Sequence, residues 1–236
     1  MSSPMKLPAA VQQHLYPDAD TGAQALADAV AGLLREALSA RPQASLMLSG
    51  GKSPIPFFQK LSRLKLDWSR VVVGMVDDRW VAPDHADSNE RLLREHLLKN
   101  EAAGARLVPL KNAHAEPEQG VAEAEAAVAA IPRPFDALVL GVGDDGHTAS
   151  LFPCADETAA AMVSTQLVAA TRPQTAPHAR ITLTFPAILT ARAIFVAING
   201  DSKRAVIERA VAVQPPLPIG EVLLNSTAPV HVYWSP

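Results

Sequence analysis

Cysteine occurs once in this sequence, at position 154, so no disulfide can form within the chain and no cysteine-based metal cluster can be assembled. That fits a reducing compartment, and Cys154 is expected to be a small buried residue. An excess of either charge is also lacking. The 21 Lys and Arg against 24 Asp and Glu give a formal net charge of -3, which argues against a broad cationic surface for nucleic acid or membrane. Any positive site must therefore be local. No segment has the roughly 18 consecutive apolar residues of a membrane span, and the opening "MSSPMKLPAAVQQHLYPDAD" has no basic region followed by an apolar run. A cytoplasmic location is expected, with no nucleic-acid or membrane partner. Internal repeats, heptads and a long linker are missing too. Residues 1–236 should form a single domain; the oligomeric state is left open, with a monomer favoured.

What is present alternates. Leu26, Val30, Leu33, Leu34 and Leu38 recur at three- and four-residue spacing, which places them on one face of a helix over Asp20 to Ala40. "ASLMLSG", "RVVVGMV", "FDALVLGV" and "RAIFVAI" are short, nearly continuous apolar runs, the pattern of strands buried on both faces. Helical stretches separate them: Pro54 to Leu64, Asn89 to Leu98, Glu116 to Ala130 and Ser202 to Val213. The fold class predicted is α/β, a doubly wound, mostly parallel sheet flanked by helices in Rossmann-like layers. "QLVAATRP" and "ARITLTFPAIL" read as further, antiparallel strands, "PVHVYWSP" as an edge or closing strand, and "VQPPLPIG" as a loop.

The strand ends carry the polar chemistry: "SGGKSP", "DDRWVAP" and "GDDGHTASLFP". In open parallel sheets ligands bind beyond the carboxyl ends of the strands, so these segments are expected to converge on one cleft. In the first, Gly50 and Gly51 allow close backbone approach, Ser49, Lys52 and Ser53 add donors, and Ser53 is placed to cap a helix beginning near Pro54. An ordinary capped turn would look similar. The pattern is neither a P-loop nor a dinucleotide fingerprint, so an anion held there would belong to a sugar phosphate rather than a nucleotide. Asp77, Asp78 and Arg79 leave the second strand, where an Arg can clamp a phosphate or carboxylate and an Asp can orient a hydroxyl or histidine. "DSNE" has capping-box spacing, with Asp87 as cap and Glu90 at the third helical position. His85 reads as a surface residue.

Asp144, Asp145 and His147 arrive together between glycines. Only one histidine is present locally and no second cluster has matching spacing, which disfavours a dedicated metal site. A general-base imidazole, oriented by a neighbouring carboxylate, fits better. Lys203 near the start of a late helix needs an anion nearby to offset the helix dipole. A serine nucleophile elbow, G-x-S-x-G, does not occur.

The segments "LSGGKSP", "VDDRWVAPDHADSN", "FDALVLGVGDDGHTASLFP", "RITLTFPAIL" and "GDSKRAVI" together resemble the 6-phosphogluconolactonase family, relatives of the glucosamine-6-phosphate deaminases, in order and spacing over nearly the whole chain. The chain departs from the pattern at Lys52-Ser53, where Ser-Thr or Arg-Thr is usual, and at Asp78, where Glu is frequent. The second change shortens a carboxylate without removing its charge. The resemblance implies hydrolysis of 6-phospho-D-glucono-1,5-lactone without metal or organic cofactor. It implies His147 as general base assisted by Asp145, with Asp77 orienting substrate hydroxyls and Arg79 at the phosphate or oxyanion. Ser49, Gly50, Gly51, Lys52 and Lys203 would complete a phosphate cradle, and Asp144 is expected to be dispensable. Two other activities on such a scaffold would be a glucosamine-6-phosphate deaminase or isomerase and a catalytically silent sugar-phosphate sensor.

Overall fold

The apolar runs predicted as buried strands form the centre of one parallel sheet in a computed structural model that describes residues 3–236. In chain order the elements are β1 (Gln12–Leu15), α1 (Ala19–Ala40), β2 (Ala44–Leu48), α2 (Ile55–Leu61), β3 (Val71–Met75), β4 (Asp77–Arg79) and α3 (Asn89–His96). They continue as β5 (Arg106–Val108), α4 (Pro117–Ala129), β6 (Ala137–Leu140), α5 (Thr158–Ala161), β7 (Val168–Thr171), β8 (Arg180–Leu183) and α6 (Phe185–Leu189). The chain closes with β9 (Ile194–Asn199), α7 (Gly200–Ala212), α8 (Pro218–Asn225) and β10 (Val230–Ser235). The 7-stranded sheet runs β1-β10-β9-β6-β2-β3-β5 and is parallel throughout; β4, β8 and β7 make a separate 3-stranded antiparallel sheet.

Every residue of β2, β3 and β6 is buried, as continuous apolar runs covered on both faces require. Leu26, Val30 and Leu34 of α1 are buried against this layer, while Leu33 is only half-buried. Leu34 is fully enclosed, so truncating it to Ala would cost about 2–5 kcal/mol. The register sets the site: Leu48 of β2 lies beside Met75 of β3 and Val139 of β6, so the three strands end level with one another. From β2 the chain winds outward through β3 to β5, then returns to β6 and winds the other way through β9 and β10. The reversal falls between β2 and β6, and it opens a crevice at their carboxyl ends.

Four expectations are corrected. "PVHVYWSP" forms β10, which is internal: it pairs with β9 on one side and with β1 on the other, and Val232, Tyr233 and Trp234 are buried. The edge is β1, whose four residues carry too weak a period to announce a strand. "ARITLTFPAIL" splits at Thr184, whose side chain accepts the Ala187 amide and starts α6. The end of "VQPPLPIG" enters α8, with Pro218 in its first turn. Cys154 is half-buried rather than enclosed, its Sγ 3.3 Å from Thr175 Oγ1. None of the described helices is long and apolar enough to cross a membrane.

Candidate active site

Ser49 follows the last residue of β2, and its amide donates to Val139 O (3.0 Å) while its hydroxyl accepts the Gly141 amide (3.3 Å). These bonds hold the glycine loop beside the end of β6. A side chain at Gly50 would place Cβ 1.8 Å from Asn89 Oδ1, so glycine alone lets α3 bring Asn89 against the loop. Gly51 takes φ +97, a left-handed conformation that favours glycine. Ser53 does not cap the following helix: α2 starts later, Pro54 is its N-cap, and no side chain closes it. The two amides a Ser53 cap would serve need no side chain: Ile55 N donates to Lys52 O at 3.3 Å, and Pro56, in the first turn, has no N–H.

Asp77 leaves β3 into β4 and is buried, with Ser150 Oγ donating to its Oδ2 at 2.6 Å. Its neighbour Asp78 faces the other way. The Asp78 carboxylate accepts the amides of Arg79, Asn89 and Glu90, so it closes the start of α3 from outside the helix. Burial pushes this carboxyl up to about 7, against the three amides that pull it down. The helix cap proper is Ser88, which accepts the Arg91 amide; Asp87, predicted for that place, instead accepts from His178 Nε2 at 3.0 Å. The helix starts one residue later than the capping-box spacing implied.

Arg79 and Arg180 are cross-strand partners in the β4–β8 register, and both side chains line the crevice. The Nε atoms of both are buried without a partner; Arg79 Nη1 donates to Asp87 O (2.7 Å) and Arg180 Nη2 to Pro177 O (3.1 Å). Burial lowers the Arg180 pKa, with Arg79 acting in the same direction and Asp77 opposing it. Like charges directly opposite on antiparallel strands are destabilising. The arrangement asks for an anion.

His147 sits on the loop after β6. Its Nδ1 is 2.6 Å from Asp145 Oδ1, and the same oxygen accepts the His147 amide at 3.1 Å. An ionised carboxylate only accepts, so the proton is on Nδ1 and the Nε2 lone pair is left as the base. Burial alone would raise the Asp145 carboxyl, but the bonds from the His147 ring and amide outweigh it and hold the group below its ordinary value. The ring stacks on Phe152 at 3.8 Å between centroids. A Cβ on Gly143 would lie 2.0 Å from His147 Cε1, so the glycine leaves the space the imidazole occupies. Past the histidine, Ser150 N donates to Thr182 Oγ1 and Thr171 Oγ1 donates to Ser150 O, which ties this loop to β8 and β7.

The predicted residues Ser49, Gly50, Gly51, Lys52, Asp77, Arg79, His147 and Lys203 all line one crevice of about 230 Å³. Asp145 stands behind His147 and lines a neighbouring groove instead. Lys203 Nζ is 2.7 Å from Asp144 Oδ1, an ion pair with one highly exposed partner. Two lining residues escaped the sequence reasoning. Asn89 donates to Asp77 O while its Oδ1 is buried without a partner, and Arg180 opens a strand that was identified but given no role. An arginine in register with another arginine would have been the signal, but the pairing joins segments a hundred residues apart.

A doubly wound sheet whose switch point brings four cations, Lys52, Arg79, Arg180 and Lys203, beside a carboxylate-held imidazole defines an α/β enzyme acting on an anionic substrate. The chain belongs to the family described as glucosamine-6-phosphate isomerases/6-phosphogluconolactonase, whose model matches residues 17–234. It is 42% identical to a 6-phosphogluconolactonase of Pseudomonas aeruginosa over 99% of both chains, and 39% identical to one of Rhizobium meliloti over 94% of this chain and 98% of that one. Among solved structures, a 6-phosphogluconolactonase from Shewanella baltica superposes with a TM-score of 0.95 at 42% identity, covering 98% of this chain and 100% of the other.

Proposed function

We propose that this chain hydrolyses 6-phospho-D-glucono-1,5-lactone to 6-phospho-D-gluconate, the activity for which its relatives over the full length are named. The observation that carries the mechanism is the His147–Asp145 pair at the wall of a crevice lined by cations. His147 Nε2 takes a proton from water as the water oxygen bonds to the lactone carbonyl carbon. The tetrahedral oxyanion then collapses, the bond from that carbon to the ring oxygen breaks, and the imidazolium returns the proton to the departing oxygen. One group suffices for both transfers. Asp145 keeps the proton on Nδ1 and stabilises the cation in between.

The remaining residues bind and position. Ser49, Gly50, Gly51, Lys52 and Lys203, joined by Arg180, would receive the phosphate; Arg79 would serve the phosphate or the oxyanion; and Asp77, held by Ser150, would accept from substrate hydroxyls. Binding energy from the remote phosphate is then spent on fixing the carbonyl against the water. A lactone is already activated, so a base, an oxyanion stabiliser and positioning account for catalysis without metal or cofactor. We further propose that residues 1–236 work as one domain, a cytoplasmic and monomeric enzyme; the lone cysteine supports the reducing location.

The test is acid release from the lactone above its spontaneous rate, with and without a chelator, beside ammonia release from glucosamine 6-phosphate. Acceleration that survives the chelator is expected, with no ammonia. Ammonia release would move the chain to the isomerase branch. Binding of sugar phosphate without acceleration would make it a sensor.

A further inference from the structure

Outside the crevice, two loops bring metal-ligating side chains together at its rim. His85 and Asp87 lie between β4 and α3, and His178 lies between β7 and β8. We propose that His85, Asp87 and His178 form a binding site for a divalent transition metal of the Zn2+ type. Asp87 Oδ2 is 3.0 Å from His178 Nε2 and 3.8 Å from His85 Nδ1, and one ligand atom from each residue falls within 4.8 Å of the other two. An ion with tetrahedral bonds of about 2.0–2.1 Å spaces its ligands about 3.3 Å apart, so small rotations of the side chains close the set.

One ligand is already in the state a metal requires, while His178 Nε2, which donates to Asp87 Oδ2, must move its proton to Nδ1 or to solvent as the metal takes its place. His85 Nδ1 accepts the Asp87 amide at 3.1 Å, which makes it the unprotonated nitrogen, and exchanging that bond for a metal bond leaves the amide at the solvent-exposed face of the loop. His178 is held by a backbone φ of 68, an uncommon conformation for a residue with a side chain, and its ring meets His85 edge-on with centroids 5.4 Å apart. Two imidazoles and one carboxylate suit Zn2+, Co2+ or Ni2+, whereas Mg2+ and Ca2+ take oxygen ligands. The side chains are 45%, 51% and 28% exposed for His85, Asp87 and His178, so an ion can enter from solvent and waters can fill its remaining positions. The ion would clip the two loops together. Because Arg79 Nη1 bonds the Asp87 carbonyl, the clip would reach one of the cations of the crevice.

This site does not depend on the hydrolytic assignment, and its test does not read activity. Zn2+ is titrated into the full-length chain against a chromophoric chelator, and Co2+ is added separately to follow its visible absorption. The expected result is one strong site, a Co2+ spectrum more intense than that of the hydrated ion, and at least about tenfold weaker Zn2+ binding in each of His85→Gln and His178→Gln. Metal-free unfolding midpoints show that these variants are folded, and His147→Gln should bind Zn2+ as the parent does. The proposal is overturned if the parent chain binds no Zn2+ at micromolar concentration, if both rim variants bind it undiminished, or if only His147→Gln loses it.

Discussion

Arg79 and Arg180 stand directly opposite each other on antiparallel strands, with both guanidinium groups at the crevice and both Nε atoms buried without a partner. Their proximity is unfavourable until an anion arrives between or beside them. Replacing Arg180 by Gln should therefore raise KM by about tenfold or more through loss of a charge-assisted contact, with a smaller effect on kcat. The unfolding midpoint in phosphate-free buffer should be unchanged or higher, while the stabilisation of the parent chain by added phosphate should shrink. Steady-state kinetics and thermal melts with and without phosphate check both halves.

His147→Gln should lower kcat by about 10²–10⁴ if the imidazole is the base. Asp145→Asn leaves the ring but presents the wrong partner to Nδ1, so its loss should be substantial yet smaller, and it should shift the acid limb of the pH–rate profile. A folded His147→Gln enzyme turning over at a near-normal rate would remove the imidazole from the mechanism.

Asp144 pairs with Lys203 from an almost fully solvated position. Such pairs contribute about 0–1 kcal/mol, so Asp144→Ala should keep kcat within about twofold and the melting temperature close to the parent value. Any change should be in KM, since Lys203 is released to the incoming anion. Kinetics at two ionic strengths will show whether the effect is electrostatic.

Asp78 supplies a pH dependence of stability. Its folded pKa of about 7 lies above the unfolded value, so the fold binds a proton that the unfolded chain has released over the interval between them. The stabilisation is complete below the unfolded value and is lost as pH rises through about 7, a change on the order of a few kcal/mol. Denaturant titrations should find Asp78→Asn and the parent similarly stable near pH 4, with the parent progressively the weaker of the two up to about pH 7 and beyond. A pH-independent difference would show that the carboxyl is ionised throughout.

Much of this was legible because the central strands are buried on both faces and their ends carry the chemistry. "FDALVLGVGDDGHTASLFP" announces both β6 and the base at its end, and "SGGKSP" the loop beside it. What was hidden depends on distant pairing. Arg180 acquires meaning only opposite Arg79, and Asn89 only against Gly50. The capping errors have a local cause: Asp87, Ser88 and Asn89 are all competent caps, and the Asp78 carboxylate, contributed by another element, decides which is used. "PVHVYWSP" carried a strand signal but could not say that β1 would cover its outer side.

That pairing of β1 with β10 orders events during synthesis. Gln12–Leu15 leaves the ribosome first, yet its place in the sheet does not exist until Val230–Ser235 has emerged. The first strand waits unpaired while β2, β3 and β6 can already assemble, so a nascent chain acquires most of the crevice before it can close its own edge.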